Sequence, residues 1–143
     1  MSADVDTSLK RVYESFARQT FMTTLGATLT RVEPGQVDIR VPFRPEHAQQ
    51  NGFLHAGVLA AVADSACGYA ALTLAPPDHD VLAVEFKINL LKPATATAFL
   101  ARAQVLRAGK TLTISEAKIH ATDTNTLIAV MLSTVISRPS PDR

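Results

Sequence analysis

The chain has 143 residues, 47% of them hydrophobic and 19% charged, with a formal net charge of +1. That length suits one domain with a substantial core, and the composition excludes a disordered chain. Mixed charges and a near-neutral balance exclude nucleic acid or an anionic membrane surface as the main partner. The only cysteine, Cys67, leaves no internal disulfide to signal an oxidising compartment.

The N-terminal stretch MSADVDTSLKRVYESFARQTF scatters charges and lacks the apolar core of a signal peptide. Leu9, Val12, Tyr13, Phe16 and Ala17 recur at helical spacing, which predicts a helix over residues 7–24, ended by Gly26. ATLTRVEPGQVDIRVPF alternates around Pro34-Gly35 and predicts a hairpin of two strands. RPEHAQQNGF, residues 44–53, is polar and rich in turn formers, a loop. A long helix is expected from about His55 to Leu74, closed by APPDHD because consecutive prolines cannot continue it. VLAVEFKINLL, TAFLARAQVLR, TLTISEAKIHAT and TNTLIAVMLSTVIS then read as four strands. Short bends at Gly109 and at Asp123–Asn125 join the last three into an antiparallel meander. The tail, residues 138–143, is expected to fray. One apolar helix wrapped by a curved antiparallel sheet, plus an N-terminal helix, makes an α+β domain over residues 1–143. No run of about 18 apolar residues exists, because Asp64 interrupts the best candidate, so a soluble cytoplasmic protein is expected.

Asp64 is the residue that asks for a function. It sits inside LHAGVLAAVADSACGYAA, a helix apolar almost all the way round. At about 100° per residue, Gly57, Ala60, Ala61, Cys67, Gly68 and Ala71 all fall within roughly 60° of it, and all are small. Val58, Leu59, Val62 and Tyr69 lie on the opposite, bulky side. A shaved face with a carboxylate at its centre admits a close neighbour: a ligand, a partner subunit, or simply a tightly packed helix with a paired carboxylate. The helix offers no lysine or arginine one turn away, and an unpaired carboxylate in a dry setting is a candidate base or nucleophile.

The start of the same helix offers the second half of a site. The amides of Ala56 and Gly57 lack helical partners and sit at the positive end of the dipole, where they can polarise a carbonyl. Asp64 lies eight residues further on, roughly 12 Å along the axis. That is awkward for one helix acting on one carbonyl, and the spacing favours a site completed by an antiparallel neighbour from a second subunit. His55 either orients substrate or caps the helix; Gln49, Asn51 and Gly52 are loop candidates, the last two also explained by turn chemistry. Cys67 reads as packing, since apolar surroundings and the charge of Asp64 raise a thiol pKa. His47, His55, His79 and His120 show no metal-ligand spacing, so no metal is expected.

HAQQNGFLHAGVLAAVADSACGYAA followed by VEFKINLLKPA resembles the hotdog-fold acyl-CoA thioesterases of the phenylacetate-pathway (PaaI-like) group, within the 4-hydroxybenzoyl-CoA thioesterase superfamily. That group's signature is a loop Asn or Gln, a Gly, then His-Gly-Gly opening the central helix, with an acid nine positions after the histidine. Gln49, Gly52, His55 and Asp64 take those places, and the likeness extends over about residues 16–137. The resemblance implies a hotdog fold whose sheets join edge to edge in homodimers, often paired into tetramers, with active sites at the interface. It implies that the Ala56 amide, with Gly57 beside it, polarises a thioester carbonyl and that Asp64 of the partner activates water or attacks directly. Gln49 and His55 would position the thioester, with Asn51, Gly52, Cys67 and Gly68 near the substrate and Arg107 and Lys110 near the phosphates of coenzyme A. The expected reaction is hydrolysis of an acyl- or aryl-CoA without any cofactor; the alternative is an acyl-CoA binding protein on the same fold. The sequence departs from the pattern at Ala56, which replaces the first glycine, and at Ala83, where many relatives carry a hydroxyl.

Overall fold

The computed structural model describes residues 3–141, and its elements follow the expected order with one division. Helix α1 (Ala3–Arg18) is followed at once by a short α2 (Thr20–Leu25). The single helix expected over 7–24 is broken because Gln19 adopts an extended backbone, φ −79° and ψ 93°. Strands β1 (Thr28–Glu33) and β2 (Gln36–Pro42) form the hairpin, with Gly35 at φ 74° supplying the left-handed turn. The Gly35 amide donates to the Thr73 hydroxyl at 2.8 Å, fastening this turn to the end of the central helix.

That helix, α3 (Ala56–Leu72), packs against β2, β4, β5, β6 and β3, which curl around it. The later strands are β3 (His79–Leu90), β4 (Ala98–Ala108), β5 (Leu112–Ala121) and β6 (Leu127–Pro139). All pair antiparallel in the order β1-β2-β4-β5-β6-β3. The meander β4-β5-β6 is as expected. Val37, Ile39, Val41, Phe99, Ile119 and Met131 point inward and meet Val58, Leu59, Val62 and Ala66 of α3 in one core.

The C-terminal end differs from expectation. The tail is paired rather than frayed through Pro139: Arg138 lies opposite Asp80 and Pro139 opposite His79, and the Ser140 amide donates to the Asp78 carbonyl at 2.8 Å. Positions 142 and 143 of the expected frayed segment lie outside the described residues. β3 stands at the sheet's edge, and Val84, Phe86, Leu90 and Leu91 on and just beyond it are exposed. A long apolar edge with unpaired backbone groups is a template for a further strand.

The helix order rests on Arg11. Arg11 is 8% exposed, and its guanidinium donates to the carbonyls of Leu72 (2.5 Å), Ala75 (2.6 Å), Pro76 (2.9 Å), Pro77 and His79 (both 3.3 Å). A cation there satisfies carbonyls at the negative end of α3 and holds the connection that leads into β3. Arg11→Met keeps the aliphatic stem but strands those carbonyls, at an expected cost of about 3 kcal/mol. Thermal unfolding should show it as a fall of roughly 6–12 °C. An unchanged midpoint would mean that the carbonyls are served equally well by water. Among the described residues no helix is long and apolar enough to cross a membrane.

Candidate active site

The exposed side of α3 carries Gly57, Ala60, Ala61, Asp64, Ser65 and Gly68, so the shaved face is open in the single chain. Cys67 and Ala71, expected on that face, are instead fully buried. Cys67 lies at the margin of the stripe, roughly 60° from Asp64, whereas Ala71 lies near its centre in the last turn of α3. Cys67 is thereby corrected from substrate neighbour to core residue. Burial, with the charges of Asp64 and Glu116, pushes its thiol up to about 12, which leaves no thiolate for chemistry.

Asp64 is half-buried, and burial raises its carboxyl above the usual carboxylate range. No neighbouring cation contributes to that shift. It lines a cavity of about 470 Å³ with Gly68, Tyr69 and Leu72 of α3, Asp80–Ala83 at the start of β3, and Ser15, Arg18 and Gln19 from the N-terminal helices. Ala83 therefore sits on the wall of the same cavity as the carboxylate. The N-terminal wall was not legible in the sequence. Gln19, freed by the helix break, donates from Nε2 to the Tyr69 hydroxyl at 2.9 Å and accepts from Ser65 Oγ at 3.0 Å. Tyr69 was expected on the bulky core side, and it is buried there, but its hydroxyl reaches this polar wall.

The other end of α3 opens a second cavity of about 360 Å³, lined by Gln49, Phe53, Ala56, Leu59 and the stretch Leu90–Ala94. His55 caps the helix: its Nδ1 accepts from the Gly57 amide at 2.7 Å. Of the two roles open to His55, capping is the one realised, and it occupies the Gly57 amide that had been expected to polarise a carbonyl. A Cβ at position 57 would meet the imidazole at 2.9 Å, so glycine is what lets this cap form. The Ala56 amide, at the first helical position, is the donor left for a ligand. Gln49 folds its own loop: its Oε1 accepts from the amides of Asn51 and Phe53 (3.3 Å). Gly52, at φ 84°, completes the turn by donating to the Gln49 carbonyl at 3.0 Å. The Gln49 amide nitrogen is thus the group free to meet a substrate. Asn51 and Gly52 are exposed and line neither cavity.

Asp64 and the Ala56–Gln49 group consequently belong to two different cavities of one chain, at opposite ends of β3. Arg107 and Lys110 enter neither. Pairing of Leu112 with Ile136, and of Ile136 with Leu82, sets their turn at the Asp64 end of the sheet.

This geometry has known counterparts. The sequence profile described as the thioesterase superfamily matches residues 51–128, which include the end of the loop from Asn51, all of α3, and strands β3, β4 and β5. A thioesterase family protein from Silicibacter pomeroyi superposes with a TM-score of 0.90 at 42% identity, over 93% of this chain and 99% of that one. The 1,4-dihydroxy-2-naphthoyl-CoA hydrolase of Listeria monocytogenes is 28% identical over 112 residues, 78% of this chain and 90% of that protein. The PaaI protein of the E. coli phenylacetic acid degradation operon shares the fold, with a TM-score of 0.86 at 18% identity, over 94% of this chain and 96% of that one. An apolar helix gripped by a six-stranded antiparallel sheet, with this loop at its head and these relatives, defines the family: the chain belongs to the thioesterase superfamily and is a hotdog-fold thioester hydrolase.

Proposed function

We propose that the protein hydrolyses an acyl- or aryl-CoA to the free acid and coenzyme A, at sites shared between the subunits of a homodimer. The observation that carries this reading is the division of the chemistry between two cavities. The apolar edge of β3 supports its completion by a second copy, because antiparallel pairing about a two-fold axis is self-complementary. Pairing centred near Phe86 would set Leu82 beside the partner subunit's Leu90. The Asp64 cavity of one subunit then adjoins the Ala56 cavity of the other. Pairs of such dimers are compatible with a tetramer.

In that arrangement the Ala56 amide and the α3 dipole polarise the thioester carbonyl, and the Gln49 amide nitrogen donates beside it. Asp64 takes a proton from water, whose oxygen bonds to the carbonyl carbon. Collapse of the tetrahedral intermediate breaks the C–S bond, and the thiolate leaves with a proton returned from Asp64. Direct attack by the carboxylate, through an anhydride that water then opens, uses the same geometry. Both routes balance with water alone, without metal or redox cofactor. A raised carboxyl pKa suits the base, since it brings proton affinity closer to neutral pH. Arg107 and Lys110 would meet coenzyme phosphates outside the cavity, and the cytoplasm, where CoA thioesters are handled, is the compartment that fits.

Thiol release from acetyl-, hexanoyl-, lauroyl-, benzoyl- and phenylacetyl-CoA tests the reading. Hydrolysis of a subset is expected. Binding without thiol release across the whole panel would replace it with an acyl-CoA binding protein.

A further inference from the structure

The break between α1 and α2 brings two neighbouring side chains, Arg18 and Gln19, to the Asp64 cavity. Gln19 stands at the break with an extended backbone, φ −79° and ψ 93°. Its amide closes α1 on the Phe16 carbonyl at 3.0 Å, and its carbonyl accepts from the Met22 amide at 3.1 Å to open α2. Its side chain leaves this elbow for the central helix and uses both ends of the amide there. Nε2 donates to the Tyr69 hydroxyl at 2.9 Å, and Oε1 accepts from Ser65 Oγ at 3.0 Å, one turn earlier on α3. Among the described residues Arg18 is the only cation lining that cavity, yet it makes no ion pair with Asp64. Burial raises the Asp64 carboxyl, and no cation offsets it. A guanidinium brought beside the carboxylate would favour the ionised form, lowering its pKa by about one to three units. That pairing weakens the base and occupies the oxygen lone pairs that a water needs.

We propose that Gln19 is a positioning residue for the reaction at Asp64: by latching the elbow to Ser65 and Tyr69, it holds Arg18 off the carboxylate and leaves Asp64 free to act as base. The inference rests on the thioesterase reading and adds to it a residue that acts through another. Released from α3, the elbow lets the long Arg18 side chain turn inward, where partial burial strengthens its attraction to Asp64. The other groups around that carboxylate supply no competing cation. Asp80 at the start of β3 is acidic, Tyr69 is held by Gln19, β6 contributes only Val135, and the Cys67 thiol, pushed up to about 12, is neutral. In the shared site, Lys92 of the partner subunit lines the adjoining cavity. It is common to wild type and every variant below, so it cancels from their comparison.

The test follows kcat/KM against pH for the best substrate of the acyl-CoA panel, in wild type, Gln19→Ala and Arg18→Gln/Gln19→Ala. In Gln19→Ala the acid limb should move down by about one pH unit, because a paired Asp64 stays ionised to lower pH. Its plateau should fall about tenfold, because the same pairing leaves a weaker, encumbered base. Removing the guanidinium in the double variant should return the limb and most of the plateau to wild-type values, which simple damage to the cavity wall does not do. Ser65→Ala/Tyr69→Phe unlatches the elbow from the α3 side and keeps the ring that packs edge-on against Phe16 at 5.9 Å. It should move the limb in the same direction, and it carries the test where Gln19→Ala does not fold. An acid limb that stays put in either folded, unlatched protein, or that stays shifted once Arg18 is gone, overturns the inference and leaves the thioesterase reading standing. Absence of thiol release from every acyl-CoA in wild type overturns both.

Discussion

Asp64→Asn is expected to lower kcat/KM by a factor of about 10²–10⁴ while making the protein more stable. The carboxylate is half-buried without a cation, and burial raises its pKa in the folded state. The sign follows from linkage. Below the ordinary aspartate pKa the group is protonated in both states and costs nothing. As pH rises through the window up to the raised folded value, the unfolded chain ionises first and stability is lost. At neutral pH the native carboxylate therefore carries its full destabilisation, and an isosteric neutral amide removes it. A higher melting temperature than wild type should appear at pH 7, and the difference should vanish near pH 3. In the wild type, activity should fall as pH drops through the raised value, because the base must be ionised. A variant that is inactive and less stable would mark Asp64 as a structural partner instead.

The second large effect belongs to a backbone atom. Ala56→Pro removes the amide proposed to polarise the carbonyl, and little else. Proline is favoured at the first helical position, where the N–H has no helical partner. His55 already holds φ −61° and ψ 136°, the extended conformation a following proline requires. The helix should therefore form as before, with kcat reduced by about 10²–10³, the usual cost of one lost oxyanion donor. Full activity in a folded Ala56→Pro protein would transfer the electrophilic role elsewhere, with the Gln49 amide nitrogen the next candidate.

Parts of this arrangement are readable in the sequence because they are local. The α3 pattern, its proline-rich stop, the Pro34-Gly35 turn and the small residues around Asp64 depend on neighbours within a few positions. His55 and Gly57 are two residues apart, and the sequence leaves His55 open between capping the helix and orienting substrate until the bond between them is seen. What escapes depends on distant partners. Gln19 reaches Ser65 and Tyr69 across 46 and 50 positions, and Arg11 reaches carbonyls 61 to 68 positions away. Periodicity assigns Arg11 and Gln19 to a helix and says nothing about what they touch. The break at Gln19 is hidden for the same reason: the flanking residues keep helical spacing, while the bonds to α3 that hold Gln19 are tertiary. The fate of Cys67 shows the limit of a helical wheel, which gives an angle from Asp64 but not where the sheet's rim falls. β3 at the edge beside β6 is likewise a matter of long-range pairing.

Mixing two inactive variants tests the proposal of a shared site most directly. Asp64→Asn and Ala56→Pro subunits, unfolded together and refolded in equal amounts, should give half mixed dimers by random assortment. Each mixed dimer holds one doubly defective site and one intact site, built from the Asp64 of one subunit and the Ala56 of the other. Activity should recover to about a quarter of the wild-type value, although each parent has almost none. If dimers exchange and no activity returns, each site is complete within one chain and the shared-site account is wrong.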